Sequence, residues 1–596
     1  MKMKSYMKEK KITATVTGVR WERIFLYLDV QITFADPKER EGELCFYAVD
    51  QMYVSPGMFH VTGITDDVYH LKLNITNSGE NVCMPSGEYR IIVCRNDCQL
   101  AECETGISIV ERIEDFSRTF LFHGYSKSYT ITFYAEEEMD TLPFRFCILA
   151  ALETDIDFPV RTRLFRELRL VENLKNTWGS KKNVVRMIYA FFCKLYASRR
   201  AHTVLFMSEQ NDSIRSNLKA VSDRMIERGM DREYQIYFSA RSAASDSHSL
   251  WNWIKLLKKM ASSGIIFLDD HAVMLNWLKL SEDTKLIQLW HAGAGFKSSG
   301  YSRWGHKGGP GPSSCHRQYS FGIAGSKNIA PFFSEVWGIN DEQVLPTGMP
   351  RMDEFLCEDY RAQKTKELYE AYPVCKGKKV MLFAPTYRGM NKKEANYPFE
   401  RIDFAGLYEA CGGEYVVLFK MHPWVKDAVP IEEKYKDKFI DVGRYPNIND
   451  LFYITDLLVT DYSSNIFEYS LMKKPMLFFA YDKFQYAFSR GFHRDYEEAA
   501  PGKVCYTFEE LLEAFRKKDF EYEKVERYVE HHFDYIDSGA SDRVIDWIVL
   551  GKIPEDIQAD LDRVRRENEH RRTLDFLPEG YWRDEKHKKA VKEEEA

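Results

Sequence analysis

Residues 454–480 read ITDLLVTDYSSNIFEYSLMKKPMLFFA, which is the sequence pattern of one α/β unit. The apolar run 456–460 fits a buried strand, the polar residues 461–464 follow it, and the amphipathic pattern of 465–473 predicts a helix. A second apolar run, 476–479, predicts the next strand. Strands that are joined through a helix run parallel with a right-handed crossover, so this stretch predicts part of a parallel sheet.

The same alternation of apolar strands and helical patterns extends to both sides of this unit. Most of the apolar runs end in a cluster of polar residues, and ligands of open α/β sheets bind at the carboxyl ends of the strands. We therefore predict two α/β lobes that face each other across a ligand-binding cleft. The predicted strands of the two lobes lie at 203–207, 235–238, 264–268, 285–289, 322–324, 380–383, 415–419, 457–460 and 476–479.

The first quarter of the chain has a different pattern. Apolar and polar residues alternate in 26–34, in 71–75 and again around 131–133, which is the period of half-buried strands. No helical stretch of useful length interrupts residues 10–155. This pattern predicts an antiparallel β-sandwich of immunoglobulin-like type.

The chain has 596 residues, more than one hydrophobic core supports, so several domains are expected. The Gly-, Pro- and Ser-rich run 305–315 is a candidate boundary or mobile loop between the lobes. The expected units are a β-sandwich accessory domain (1–155), a basic helical segment with the N-terminal α/β lobe (156–312), a C-terminal α/β lobe (313–552), and a charged helical tail (553–596).

Composition excludes some classes of function. The formal net charge of −7 gives no general attraction to nucleic acid, so a site for a polyanion must come from local basic clusters. No apolar run approaches the ~18–20 residues of a membrane span, and no apolar region follows the Lys-rich N-terminus as in a secretory signal. The closest cysteines, Cys94, Cys98 and Cys103, have no neighbouring His, so reduced thiols are predicted ahead of a zinc site. These features predict an intracellular protein without a bound metal.

The basic segment Lys181–Arg200 reads KKNVVRMIYAFFCKLYASRR. It holds six basic residues and no acidic residue, and its middle is apolar and aromatic. Such a helix suits the interface of an anionic membrane, where it would lie without crossing the bilayer. The alternative is a helix buried between the β-domain and the first lobe, with its charges at the rim.

Polar residues after two of the predicted strands fit a phosphate site. Asp461, Ser463 and Ser464 stand at the start of a predicted helix, where hydroxyl groups and free N–H groups can hold phosphate; the alternative is that they only cap the helix. His422 follows the strand that ends at 419 and can act as an acid, a base or a donor to phosphate. A His that is hydrogen-bonded in a turn is the alternative.

Two further residues complete the candidate site. His291 lies in QLWHAGAGFK, where small residues allow a ligand close to the backbone, although a structural His in a Gly-rich turn has the same pattern. Arg388 follows APTY and is placed for bidentate contact with a diphosphate, unless it is a surface residue. Because all of these residues follow parallel strands, the joint pattern favours one convergent phosphate-binding site.

Five segments of the chain carry a resemblance to a known family. They are the 454–480 segment, WHAGAGFKSSGYSR from Trp290, GMPRMD from Gly348, APTYRG from Ala384 and KMHP from Lys420. Over roughly residues 200–545 the chain resembles the CDP-glycerol glycerophosphotransferases of teichoic acid synthesis, which include related ribitol phosphate transferases. Many members have Trp-His-Gly followed by a Thr-Pro-Leu-Lys-like run, and this chain departs from that pattern after His291. Because of this departure, the resemblance does not identify the acceptor.

The resemblance implies a two-lobed glycosyltransferase-B-like fold with the CDP-alditol in the C-terminal lobe. It implies that His291 and His422 are essential, and it places Asp461, Ser463 and Ser464 in the nucleotide-phosphate segment. The implied reaction is attack of an acceptor hydroxyl on the β-phosphorus of CDP-glycerol or CDP-ribitol, with CMP leaving. The N-terminal β-domain lies outside the resemblance.

From these roles we expect His291 to be the general base, with His422 and Arg388 stabilising charge on the diphosphate. Asp461 would orient either a His or the donor. We expect no cofactor and no nucleic-acid partner, a lipid-linked polymer as the acceptor, and a cytoplasmic enzyme that is peripheral on the inner face of the cell membrane. The rival functions are a nucleotide-sugar glycosyltransferase and a non-catalytic polymer-binding scaffold.

Overall fold

The computed structural model describes residues 12–50, 57–77, 81–95, 98–122, 127–136, 141–150, 181–241, 250–306, 309–311, 314–389 and 392–569. The end of the predicted charged tail, 570–596, and the first part of the predicted basic helical segment, up to residue 180, lie outside the described residues.

The strands of the described residues are β1 (Ile12–Glu22), β2 (Phe25–Phe34), β3 (Cys45–Asp50), β4 (Gly57–Thr65), β5 (Val68–Asn74), β6 (Gly87–Arg95), β7 (Cys98–Thr105), β8 (Arg118–Phe122), β9 (Lys127–Ala135), β10 (Phe144–Ala150), β11 (Thr203–Ser208), β12 (Gln235–Ala240), β13 (Ile265–Leu268), β14 (Lys285–Gln288), β15 (Phe321–Ile323), β16 (Val344–Leu345), β17 (Lys379–Phe383), β18 (Tyr415–Phe419), β19 (Phe439–Asp441), β20 (Leu457–Thr460), β21 (Met476–Phe479) and β22 (Lys503–Cys505).

The α-helices of the same residues are α1 (Ile107–Val110), α2 (Lys181–Leu195), α3 (Ser216–Glu227), α4 (Leu250–Ser262), α5 (Ala330–Trp337), α6 (Met352–Phe355), α7 (Glu358–Ala371), α8 (Phe404–Cys411), α9 (Ile448–Leu451), α10 (Ile466–Ser470), α11 (Lys483–Ser489), α12 (Tyr496–Ala499), α13 (Phe508–Lys517), α14 (Glu523–His532), α15 (Ala540–Arg543) and α16 (Glu555–Glu569). A π-helical turn, Val544–Val549, follows α15.

Strands β1 to β7 close into a barrel. Their order around the ring is β1-β2-β5-β4-β3-β6-β7, and β7 returns to pair with β1. This closing pair is parallel, with Ala14 opposite Cys103. Strands β10, β9 and β8 extend the sheet outward from β6. The N-terminal domain is therefore a seven-stranded mixed barrel with a three-stranded extension.

The predicted antiparallel β-sandwich is wrong. The period-two alternation does indicate strands with one buried face. The same alternation occurs in a sandwich and in a barrel, so it cannot distinguish the two folds. Closure depends on two pairings between strands that are distant in sequence. One is β3 with β6, where Phe46 lies opposite Val93, and the other is β1 with β7.

A loop from the α/β part packs into the core of the N-terminal domain. Trp304 is 1% exposed, and its ring centroid lies 4.9 Å from that of Phe120 in β8 and 4.8 Å from that of Tyr129 in β9. Tyr301 is buried in the same cluster. Aromatic pairs at these distances add to the apolar burial, so the extension of the N-terminal domain is packed firmly against the rest of the chain.

Two parallel six-stranded sheets form the α/β part. Nine of their twelve strands lie at the predicted apolar runs, and the short strands β16, β19 and β22 were not predicted. The order of the first sheet is β12-β11-β13-β14-β15-β16, and the order of the second is β19-β18-β17-β20-β21-β22. Strands β15 and β16 belong to the first sheet and lie beyond residue 312, where the lobe boundary was expected. The strands are buried on both faces, as parallel strands between helices are.

Helix α2 contacts the first lobe with only one of its faces. Tyr189 is buried and packs, with α4, on the core of that lobe. Met187 and Phe191 on another face are 69% and 63% exposed. The expectation that the helix is buried between the β-domain and the first lobe does not hold for this face. No helix among the described residues combines the length and apolar character of a membrane span.

Candidate active site

A cleft of about 560 Å³ is lined by residues from both α/β lobes. Its walls follow the carboxyl ends of β14, β17, β20 and β21, where the sequence predicted ligand binding. Of the predicted site residues, His291, Arg388 and Ser464 line the cleft. His422 packs against the lining residue Tyr387, and Asp461 lies beneath the wall.

The turn that presents His291 is held in an unusual conformation. Trp290 has φ = 49°, in the left-handed region that costs a residue other than Gly ~1–3 kcal/mol. The buried Asn217 amide donates to the carbonyls of Leu289 and Trp290, at 2.8 and 2.9 Å. Arg351 Nη1 donates to the His291 carbonyl at 2.8 Å. These hydrogen bonds fix the backbone on both sides of the strained residue.

Arg351 also connects this turn to the second lobe. Its Nε donates at 2.8 Å to the carboxylate of Glu468, which is buried in α10. Helix α10 begins directly after Ser463 and Ser464. One side chain thus links the backbone of His291 to the helix that follows the predicted phosphate segment.

The His291 ring has the environment of a general base. Its Nδ1 lies 3.2 Å from the carbonyl oxygen of Asp269 and 3.4 Å from Oδ2 of Asp270. Because Nδ1 donates to these oxygens, a neutral ring carries its lone pair at Nε2. The side chain is 51% exposed, so Nε2 is accessible to a substrate. A His oriented by a carboxylate in this way can take a proton from a hydroxyl group.

Asp270 was not among the predicted site residues. The sequence placed it after β13, and the pairing of β13 with β14 brings it beside His291. Its neighbour Asp269 has a structural role: Ser208 Oγ donates to its carboxylate at 2.9 Å, and burial raises its pKa. The sequence does not show that β13 and β14 are neighbours in the sheet, and for this reason Asp270 was not predicted.

The second lobe places an ion cluster under the cleft. Arg388 Nε and Nη2 donate to the two carboxylate oxygens of Asp482, at 2.5 and 2.9 Å. Its Nη2 also lies 2.9 Å from Oδ2 of Asp461, which is buried. Burial alone would lower the pKa of Arg388, but Asp461 and Asp482 raise it well above its usual range. The guanidinium stays charged and neutralises two carboxylates.

The polar atoms of Arg388 and Asp461 thus bind other groups of the protein. Arg388 Nη1 donates to the Thr386 carbonyl at 2.6 Å, in addition to its two ion pairs. Asp461 Oδ1 accepts the N–H groups of Thr386 and Tyr462, at 2.7 and 2.6 Å. These contacts give both residues a structural task in the loops that carry the cleft wall.

His422 lies between aromatic rings at the edge of the cleft. Its ring centroid is 4.7 Å from that of Tyr387 and 5.3 Å from that of Trp424. The Trp424 N–H donates to His422 Nδ1 at 3.1 Å, so a neutral ring carries its proton at Nε2. Burial lowers the pKa of His422, and the nearby cations Lys297 and Lys420 lower it further. His422 is therefore a neutral hydrogen-bond donor near pH 7.

Three cations of the cleft were not predicted as site residues. Lys297, Arg303 and Arg490 all line it. Burial lowers the pKa of Arg303, and Arg490 lowers it further, so the two guanidinium groups lie close enough to repel each other. Positive charge concentrated in a cleft attracts anions. The motif WHAGAGFKSSGYSR contains Lys297 and Arg303, and this was the signal in the sequence for this feature.

The two serines differ in their positions. Ser463 Oγ accepts the Asn465 N–H at 3.3 Å, as in the capping alternative, whereas Ser464 lines the cleft. The helix that follows is the short α10, Ile466–Ser470, not the longer helix that was predicted. Within the described part of the chain, no group of three or more His, Cys, Asp or Glu residues could hold a metal ion.

Comparison with known proteins adds to this geometry. The model of the family described as CDP-glycerol:poly(glycerophosphate) glycerophosphotransferase matches residues 189–550. The chain is 34% identical over 435 residues to the teichoic acid ribitol-phosphate polymerase TarL of Staphylococcus aureus (strain NCTC 8325 / PS 47), covering 73% of this chain and 77% of TarL. It is 31% identical over 301 residues to the teichoic acid glycerol-phosphate primase of Bacillus subtilis (strain 168), covering 50% of this chain and 76% of the primase.

A solved structure is also similar. A variant of the wall teichoic acid polymerase TagF matches with a TM-score of 0.50 at 22% identity, covering 67% of this chain and 100% of that chain. At this identity the likeness concerns the fold alone, and it corrects the predicted glycosyltransferase-B-like class, which is wrong. The α/β part has the fold of TagF, and its two sheets differ in strand order, which the alternation of strands and helices does not specify.

Proposed function

Because the chain belongs to the CDP-glycerol:poly(glycerophosphate) glycerophosphotransferase family, we propose that it transfers an alditol phosphate from a CDP-activated donor to a hydroxyl group of a teichoic-acid-like polymer. The observation that carries this function is the pairing of His291 with Asp270 on one wall of a cation-rich cleft, with His422 and Lys297 beside it. The first lobe holds the acceptor, and the second lobe holds the CDP-alditol.

In the proposed reaction, His291 Nε2 removes the proton of the acceptor hydroxyl, and the hydroxyl oxygen attacks the β-phosphorus of the donor. A new P–O bond forms as the bond from the β-phosphorus to the bridging oxygen breaks. CMP leaves with that oxygen, and the proton passes from His291 to solvent. A positioned general base contributes ~10²–10⁴-fold to such a step.

The diphosphate needs donors and cations around it, because phosphoryl transfer depends mainly on positioning and charge stabilisation. His422 donates from Nε2, and Lys297, which lines the cleft near His422, supplies a positive charge. Ser464 contacts the donor from the cleft wall. Arg388 acts by neutralising Asp461 and Asp482, which would otherwise repel the diphosphate.

CDP-ribitol is the first donor to test, since the longer of the two matches reported above is with a ribitol-phosphate polymerase; CDP-glycerol is the second. The experiment follows CMP release by the full chain from each donor, with a teichoic acid oligomer as the acceptor. UDP- and GDP-sugars serve as controls. Release of UDP or GDP without release of CMP would identify a sugar transferase, and no release from any donor would favour a binding scaffold.

The enzyme also binds the inner, cytoplasmic face of the cell membrane, where a lipid-linked acceptor would be found. The support is the exposed face of α2, on which Val184, Met187, Phe191 and Leu195 follow at helical spacing, with Trp251 of α4 exposed as well. Lys182 and Lys194 are exposed on the same helix, and a basic residue near anionic lipid adds ~1 kcal/mol. Arg200 does not contribute, because it is buried and pairs with Asp283 at 2.8 Å.

Flotation with vesicles of graded anionic lipid content tests this binding. The double substitution of Met187→Asn and Phe191→Asn should abolish flotation, and Lys182→Gln with Lys194→Gln should weaken it most at low salt. The matched control is Ile107→Asn, which removes an exposed apolar side chain from the barrel. Unchanged flotation of both double variants would contradict the proposal.

A further inference from the structure

The barrel and both α/β lobes meet at one buried carboxylate. Glu335 of α5 is 4% exposed. Arg23 of the barrel donates to it through Nε at 2.7 Å and Nη2 at 3.1 Å, and His493 Nε2 of the second lobe lies 2.6 Å from Oε2. A buried carboxylate is stable only when such partners are present. Glu335 therefore ties three parts of the chain together.

Arg23 is placed for this contact by its backbone. It lies in the turn between β1 and β2 with φ = 51°, in the left-handed region that residues other than Gly rarely adopt. Its Nη1 also donates to the His493 carbonyl at 3.1 Å. The turn of the barrel thus contacts both the side chain and the backbone of one residue of the second lobe.

The backbone around His493 pairs with a segment that lines the cleft. We call residues 296–304 the strap. The His493 N–H donates to the Phe296 carbonyl at 2.8 Å, and the Ser298 N–H donates to the Gly491 carbonyl at 3.2 Å. Lys297 forms an isolated bridge with Phe492 between these bonds. The position of the Lys297 cation in the cleft thus depends on the segment that Arg23 contacts.

The other end of the strap is fixed by the three-stranded extension of the barrel. Trp304 packs against Phe120 of β8. Tyr301 is buried in the same cluster, and Arg317 Nε donates to its hydroxyl at 2.9 Å. Gly305 follows with φ = 79°, and a Cβ at this position would come within 2.9 Å of Phe120. The N-terminal domain therefore contacts the strap directly at one end and, through Arg23 and His493, at the other.

We propose that the N-terminal barrel is part of the catalytic apparatus, and that Arg23 is a positioning residue that holds the strap and its Lys297 in the cleft. This role rests on the proposed transferase function. It gives a task to a domain that lies outside the matched family region, which begins at residue 189.

The test compares Arg23→Gln with a matched control, Arg20→Gln, in the full chain. Arg20 is exposed on β1, the strand that leads into the turn of Arg23, and its guanidinium lies 3.7 Å from the centre of the Tyr27 ring, so the control removes the same charge from the barrel. Hydrogen exchange in 296–304 and 490–496 should become at least ~10-fold faster in Arg23→Gln only. The turnover number should fall by ~10–10²-fold, since small displacements at the reacting centre cost that much. Arg23→Lys, which keeps the charge, should recover part of both effects.

Equal exchange of the two segments in Arg23→Gln and Arg20→Gln would overturn the proposal. The exchange readout needs no activity, so the two failures can be told apart. A wild-type chain that releases no CMP would refute the transferase function and the catalytic role with it, and the exchange rates would still decide whether Arg23 positions the strap. If Arg23→Gln does not fold, Trp304→Leu provides the same comparison at the other end of the strap. Unchanged exchange of 296–304 in that variant would also overturn the proposal.

Discussion

Asn217→Ala is expected to lower turnover by disturbing the turn that presents His291. The Asn217 side chain makes three hydrogen bonds with backbone groups: to the carbonyls of Leu289 and Trp290, at 2.8 and 2.9 Å, and from the Arg351 N–H, at 3.0 Å. Leaving a buried polar partner unpaired costs ~1–3 kcal/mol for each group. About 3 kcal/mol is therefore the minimum local loss expected from the three bonds.

This loss acts on a residue that is already strained. Trp290 holds φ = 49° only because its surroundings fix it, so the turn relaxes when the amide is removed. A local loss of ~3 kcal/mol lowers the equilibrium constant between the competent and the relaxed turn by ~10²-fold. We expect the turnover number to fall by up to this factor at saturating donor, while donor binding to the second lobe is retained.

The assay measures CMP release at saturating donor and acceptor, together with the dissociation constant of CMP by calorimetry and the thermal midpoint. Ser222→Ala is the matched control, because Ser222 is buried on the same helix and its hydroxyl donates to the Lys219 carbonyl within that helix. Turnover of Asn217→Ala within two-fold of wild type would refute the reasoning. So would an equal loss of turnover in the control.

The remaining predictions concern the two walls of the cleft. His291→Ala and His422→Ala should each lower turnover at least ~10²-fold with unchanged circular dichroism, through loss of the base and of a charge-stabilising donor; near-normal turnover of either folded variant would contradict its role. Lys297→Met should raise the pKa of His422, because a nearby cation opposes its protonation, and the His422 resonance should titrate at higher pH in NMR. Ser464→Ala should raise the KM of the donor without a change in thermal midpoint. Asp461→Ala should destabilise the fold by at least ~1–3 kcal/mol in denaturant titration, because the Thr386 and Tyr462 N–H groups lose their acceptor while Arg388 keeps its pair with Asp482.

Much of the α/β part could be predicted from the sequence, because parallel strands are buried on both faces and read as apolar runs. Ligands bind at the carboxyl ends of strands in such sheets. From this rule the sequence predicted that the residues after β18, β17, β20 and β21 lie along one edge of the sheet. The rule predicted where His422, Arg388 and Asp461 would lie. It did not predict that Arg388 would be fully engaged by carboxylates, one of which is Asp482.

The residues that were missed all depend on contacts between distant segments. Asp270 reaches His291 because β13 pairs with β14, and Arg351 reaches the His291 carbonyl from a different turn. Closure of the barrel likewise depends on the pairing of β3 with β6. Local periodicity carries no information on such pairings, whereas the motif around His291 could be recognised from the residues alone.

The packing of Trp304 against the N-terminal domain has a consequence for synthesis on the ribosome. The strands of this domain emerge first, but the aromatic side chain that packs against Phe120 of β8 and Tyr129 of β9 is translated long afterwards. At ~5–20 residues per second, the nascent domain waits on the order of ten seconds for this residue. During that interval the rings of Phe120 and Tyr129 lack their buried partner. The core of the N-terminal domain is therefore completed only after the first α/β lobe has begun to emerge.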